Sequence, residues 1–123
     1  MARVMIVDDA LLMRRIIRNI LTSAGHEVIC EVNDGSLALP LYRQHQPDLV
    51  TMDVAMPNTD GIQAARQILH EFPDARIVMV SAVNEQHHVV EAIQAGARHF
   101  VIKPINADKM IGVVRQVLGD RAA

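Results

Sequence analysis

RVMIVDD, residues 3–9, is an apolar run that ends on two adjacent carboxylates, Asp8 and Asp9. A run without polar alternation is what a strand covered on both faces requires, and such strands belong to parallel sheets. The pattern returns along the chain: DLVTMD (48–53) stops on Asp53, RIVMVS (76–81) on Ser81 and HFVIK (99–103) on Lys103. EVICEV (27–32) supplies one more apolar run. Between these runs, apolar residues recur at helical spacing. Residues 11–24 carry Leu12, Ile16, Ile17, Ile20 and Leu21, and residues 62 to about 72 carry Ile62, Ala65, Ile68 and Leu69. Helices are also expected from the Asn33-Asp34-Gly35 turn to about His45, over 85–95 and over 107–118. Gly25 and Gly96 stand where helices should stop.

Strict alternation of strand and helix with short loops implies an α/β fold. Right-handed crossovers place helices on both faces of a doubly wound, five-stranded parallel sheet. In the flavodoxin-like order 2-1-3-4-5, strands one and three are neighbours, and ligands bind outside the carboxyl ends of the strands. Asp8, Asp9, Asp53, Ser81 and Lys103 then share one pocket although they span almost the whole chain. A length of 123 residues suits a single domain over 1–123. Pro40 falls inside the second helix, so that helix should start late, kink or be weak.

Composition narrows the function. Two Phe, one Tyr and no Trp leave little for base stacking or an aromatic cofactor sandwich, and a net charge of -2 gives no general affinity for polyanions. Direct nucleic-acid binding is therefore not expected. Arg14, Arg15 and Arg18 read as a solvated helix face, and Cys30, the single cysteine, as a buried strand thiol. The opening MARVMIVDD leaves no room for a signal sequence, and no run approaches the roughly 20 apolar residues of a spanning helix, so the cytoplasm is expected.

The polar cluster carries the chemistry. At about 4–5 Å and an effective dielectric near 20, each carboxylate pair costs roughly 3–4 kcal/mol, so a cation must offset the repulsion. Oxygen-only ligands favour a hard ion, of which Mg²⁺ typically takes one or two carboxylates and a phosphate oxygen, and Lys103 can bring a fixed positive charge. Such a set suits an anionic group arriving at one carboxylate. Asp53 would attack phosphorus and become an acyl phosphate, with Lys103 and Ser81 holding the remaining phosphoryl oxygens. Taken singly, each residue has an ordinary explanation: Asp9 could cap the helix starting near Leu11, Ser81 could serve a turn, and Lys103 could lie on the surface.

VDD at 7–9, MDVAMPNTDG at 52–61, VSA at 80–82 and AGARHFVIKP at 95–104 together resemble the receiver domains of two-component response regulators. The similarity extends over essentially the whole chain and is strongest to CheY-like, single-domain chemotaxis regulators. It implies that Asp53 is the phospho-acceptor and that Asp8, Asp9, Asp53 and the backbone carbonyl of Ala55 bind Mg²⁺. It implies further that Ser81 and Phe100 form the switch pair, that Lys103 contacts the phosphoryl group, and that the bond before Pro104 is often cis. The implied donor is a sensor histidine kinase, or a small molecule such as acetyl phosphate. The implied output is a protein bound through the α4–β5–α5 face, such as a flagellar motor switch or a phosphotransfer protein. A monomer is expected, with dimerisation on phosphorylation left open.

Two departures from the pattern stand out. Ala55 and Val83, each two residues after a site residue, cannot orient an attacking water by hydrogen bonding, and Phe100 lacks a tyrosine's phenol. Adjacent His87 and His88 would point about 100° apart on a helix and so share no metal; the other four histidines are dispersed. Two other functions compete with a signalling switch. One is a relay passing phosphate to a histidine phosphotransfer protein. The other is a dehalogenase-type hydrolase, which would place its nucleophile at the end of the first strand rather than at Asp53. A flavin carrier of similar topology would need a hydroxyl-rich phosphate loop and stacking rings.

Overall fold

A computed structural model describes residues 1–122, with side chains through residue 119. Five strands, β1 (Arg3–Val7), β2 (Glu27–Val32), β3 (Leu49–Asp53), β4 (Ile77–Ser81) and β5 (His99–Ile102), pair in the order β2-β1-β3-β4-β5. All four pairings are parallel. Five helices alternate with them: α1 (Leu11–Ser23), α2 (Ala38–His45), α3 (Gly61–Glu71), α4 (Gln86–Ala95) and α5 (Ala107–Ala122). This is the doubly wound α/β sheet expected from the alternation.

The continuous apolar runs divide residue by residue between the two faces. Met5, Val7, Val50, Met52, Ile77 and Met79 point to one side, where Ala64, Ala65, Ile68 and Leu69 of α3 and Val89 and Ala92 of α4 cover them. Their neighbours Val4, Ile6, Leu49, Val78, Val80 and Val101 point to the other, under Ile17 and Leu21 of α1 and Met110, Val114 and Val117 of α5. Both sets are buried, which is why neither strand nor sequence shows polar alternation.

Pro40 is the third residue of α2, within the first turn, where its missing N–H has no intrahelical partner to lose. A 3₁₀ turn over Gly35–Leu37 precedes it, so the helix does start late.

The α1 helix covers the sheet with less than its apolar stripe, and two expectations, for its arginines and for Cys30, need correction. Of the apolar positions on α1, only Ile17 and Leu21 are buried; Leu12 is 72% exposed and Ile16 38%. The covering face of α1 is narrower than its apolar stripe. The arginines of α1 are not a uniformly solvated face either. Arg14 and Arg18 both bond Glu31, near the end of β2, at 3.2 and 2.7 Å, while Arg15 is exposed. Cys30 is half-buried rather than buried, because β2 is an edge strand; burial still pushes its thiol up, so it is a poor nucleophile.

Gly61 opens α3 directly behind the last residue of β3. A Cβ there would lie 1.8 Å from the Asp53 carbonyl oxygen and 2.7 Å from its carbonyl carbon, both backbone atoms that cannot step aside. By contrast, a Cβ on exposed Gly112 in α5 would meet nothing within 4 Å. Gly61→Ala should therefore destabilise the fold by about 3 kcal/mol or more, whereas Gly112→Ala should stabilise it by about 0.5–1 kcal/mol. Urea titrations of the two variants check this contrast; equal midpoints would contradict it.

Candidate functional site

Strand register brings the polar residues together. Val7 lies opposite Met52, Asp53 opposite Val80, and Ser81 opposite Ile102, so one step further along each strand gathers Asp8, Asp53, Ser81 and Lys103 at one edge. The Val54 N–H donates to the Val80 carbonyl at 3.0 Å and the Lys103 N–H to the Ser81 carbonyl at 2.8 Å, which extends the ladder past the strand ends. The bond from Lys103 to Pro104 is cis.

Asp8, Asp53 and Ser81 are buried and Asp9 is exposed. The three carboxylates each offer an oxygen such that all three oxygens lie within 4.8 Å of one another. Lys103 Nζ donates to Asp53 Oδ1 at 2.9 Å. Asp8 Oδ1 accepts the Ala10 N–H at 2.9 Å, but its Oδ2 is buried without a partner, as is the Ser81 hydroxyl. Asp9 does not cap α1; the cap position is Ala10, which has no side-chain acceptor to offer.

Burial decides the electrostatics. It lifts Asp53 from 3.8 to about 6, against the Lys103 hydrogen bond that pulls it down, with the Asp8 charge adding to the rise. Asp8 is also raised, first by burial, against the Ala10 N–H and the Lys103 charge that lower it. Burial lowers Lys103, yet its hydrogen bond to Asp53 and the charges of Asp53 and Asp8 outweigh this and hold the ammonium above its usual range. An acidic pocket with two buried, unpartnered oxygen atoms and excess negative charge fits a hard cation. Magnesium, with its all-oxygen preference, suits this donor set.

The loops around the cluster are tied down. The Gly61 N–H donates to the Val54 carbonyl at 2.9 Å, and Asp60 caps α3 by accepting the Gln63 N–H at 2.8 Å. Ala55 sits exposed in this loop, two residues past Asp53. Phe100 lies apart from the cluster. It faces outward on β5, 36% exposed, with its ring 5.7 Å from that of His99. There it lines a cavity of about 700 Å³ with Val83, Ile102, Pro104, Lys109 and Val113, among others.

The His87 and His88 ring centroids lie 3.9 Å apart with the rings tilted by 42°, closer than their divergence on a helix suggests; among the described residues only the three aspartates form a group of three or more side chains able to hold a metal. Sequence reasoning missed the support under Asp8. Arg14 donates from Nη1 to the Asp8 carbonyl at 2.6 Å and from Nε to Glu31, bracing the β1–α1 loop against β2. The available signal was Glu31, a charged residue next to the end of β2.

The raised value of Asp53 has a defined sign. Its neutral form is favoured by folding, so its contribution to stability is complete below about pH 4 and is lost as pH rises through about 6. In magnesium-free buffer, Asp53→Asn should be more stable than the parent at pH 8 by about 2–3 kcal/mol. That gap should close toward pH 4. Denaturation curves at pH 4, 6 and 8 check it; a gap constant with pH would contradict it.

Comparison with known proteins agrees with this geometry. Residues 4–115 match the response regulator receiver domain family. The chain is 46% identical to the chemotaxis protein CheY of Bacillus subtilis, over 94% of this chain and 97% of that protein. It is 42% identical to the CheY of Thermotoga maritima, over 94% and 96%. Among solved structures, the CheX–CheY–BeF3–Mg complex of Borrelia burgdorferi superposes with a TM-score of 0.90 at 33% identity, covering 94% of this chain and 88% of that one. A parallel sheet carrying this acidic edge, matched over nearly its full length by CheY proteins, makes the chain a member of the response regulator receiver domain family.

Proposed function

We propose that this chain is a single receiver domain over residues 1–123, working in the cytoplasm as a phosphorylation switch, with Asp53 as the phospho-acceptor. The observation that carries the reading is the pairing of a buried aspartate with a lysine 2.9 Å away, beside a buried hydroxyl that has no partner. Asp53 Oδ1 is held by Lys103, which leaves Oδ2 to attack phosphorus in line. From a phosphohistidine donor, an O–P bond forms as the P–N bond breaks, and the electron pair returns to the imidazole nitrogen. From acetyl phosphate, the leaving group is acetate.

Lys103 then moves its donors from Asp53 toward the phosphoryl oxygens, and Ser81 supplies the neutral donor that nothing else now occupies. Asp8, Asp9, Asp53 and the Ala55 carbonyl would hold Mg²⁺, which neutralises charge on attacker and phosphoryl group together. The Asp8 Oδ2 atom is the ligand best prepared for it, being buried and unpartnered.

The product adds about -1.5 to -2 charge and three acceptor oxygens at the end of β3. Ser81, drawn toward them, vacates space into which Phe100 can turn from its outward position, reshaping the face built by α4, β5 and α5. The apolar cavity lined by Phe100, Val83 and Val113 is the surface on that face whose shape would change. The direction follows from differential contacts in the two states, as any population shift must. The CheY relatives favour a chemotaxis partner such as a flagellar motor switch, with a sensor histidine kinase as donor.

Asp53→Asn should abolish labelling by phosphoramidate or acetyl phosphate in the presence of Mg²⁺, with the fold intact by circular dichroism. Labelling that persists at the parental level would remove Asp53 from this role. Ala55 and Val83 offer no hydrogen bond to an attacking water, so the acyl phosphate should decay slowly. Introducing Ala55→Asn together with Val83→Glu should shorten its lifetime several-fold in a phosphate-release assay. An unchanged lifetime would mean that water is positioned by other groups.

A further inference from the structure

One acidic side chain outside the carboxylate cluster reaches back to its edge. Glu85 closes the 3₁₀ turn Val83–Glu85 between β4 and α4. It is half-buried, and its Oε1 accepts the Ala82 backbone N–H at 2.8 Å. The Glu85 N–H in turn donates to the Ala82 carbonyl at 3.0 Å, so the turn is clasped from both ends. Ala82 directly follows Ser81, whose hydroxyl is the buried, idle donor of the site. Two donors therefore follow one another at the end of β4, the strand paired with β3, whose Asp53 lies opposite Val80. One is unused, and the other is taken by a carboxylate. Glu85 also acts on the site through space, since its charge contributes to holding Lys103 protonated.

We infer that Glu85 is an internal competitor for the phosphoryl group: its carboxylate occupies the Ala82 N–H that an oxygen on phosphorylated Asp53 would take. This rests on the reading of Asp53 as phospho-acceptor. A carboxylate oxygen and a phosphoryl oxygen are both anionic acceptors, and a single N–H directed at one is lost to the other. They also repel, so the arriving dianion weakens the clasp even before it claims the donor. Phosphorylation thus exchanges one charge-assisted bond for another and frees the Val83–Glu85 turn, to which α4 is directly joined. The clasp favours the unphosphorylated state by the strength of the bond exchanged, so Glu85 sets how readily the domain switches. Glu85 is a positioning residue and touches no reacting atom.

The test uses beryllofluoride with Mg²⁺ as the phosphoryl mimic on the full chain, followed by NMR of the backbone amides and the side-chain carboxyl carbons. Glu85→Ala removes both the acceptor and the charge; Glu85→Gln keeps an acceptor and removes the charge. Glu85→Ala should bind beryllofluoride roughly three- to tenfold more tightly than the parent, as expected for loss of one competing hydrogen bond. Glu85→Gln should fall between them. In the parent, loading should shift the Ala82 amide and the Glu85 side-chain carboxyl carbon together. Unchanged affinity in both variants, or a Glu85 carboxyl resonance indifferent to loading, would overturn the inference. A purely structural cap would lower the melting temperature of free and loaded forms alike and leave affinity untouched. A parent that takes no beryllofluoride at all, or takes it equally after Asp53→Asn, would instead overturn the assignment of Asp53, and this inference with it.

Discussion

Three carboxylates gathered within 4.8 Å, two of them buried, and one lysine to offset them, are the constraint around which this molecule is arranged. Burial raises both Asp8 and Asp53, and the Lys103 ammonium only partly reverses the shift at Asp53. Folding therefore holds charge in a place where charge is unfavourable. The energy comes from the apolar sheet beneath, whose side chains are buried on both faces. A site with excess negative charge and idle buried oxygens is suited to a cation, and through the cation to an anion such as a phosphoryl group.

Rigid support matters because electrostatic stabilisation depends on groups that need not rearrange. Asp53 is the last residue of β3, and the next turn of chain is pressed so closely that only glycine fits at position 61. Asp8 is braced from behind by Arg14, itself bonded to Glu31 on the edge strand. The opposite rim is looser in design. The Ser81 hydroxyl has no hydrogen-bond partner, and in the turn that follows the Glu85 carboxylate accepts the Ala82 N–H. One rim is braced from behind, and on the other the proposed phosphoryl group would meet an idle hydroxyl and a donor held by a carboxylate.

Much of this was legible in the chain. Unbroken apolar runs ending on Asp8, Asp53, Ser81 and Lys103 specify strands buried on both sides, and the parallel order then brings their ends together. Pro40 left a late start, a kink or a weak helix open, and the structure takes the first: a 3₁₀ turn over Gly35–Leu37 precedes α2 and leaves the proline in its first turn. Less legible was how far a helix's apolar stripe would be covered. Leu12 and Ile16 look like core positions from their spacing, yet α1 meets the sheet mainly through Ile17 and Leu21. Periodicity reports which residues share a face; it does not report how wide a strip of that face the sheet can reach.

Sequence alone determined the layered fold, the meeting of the aspartates, serine and lysine, and the preference for oxygen-bound cations, because these follow from residue type, period and strand polarity. Tertiary structure decided the rest. Whether Arg14 is solvated or bonded to Glu31, whether Glu85 points to water or back to Ala82, and how far Asp53 is raised all depend on distances of a few ångströms between segments remote in the chain or across a turn. Hydrogen bonds and desolvation fall off over that same length, so no pattern in one dimension contains them.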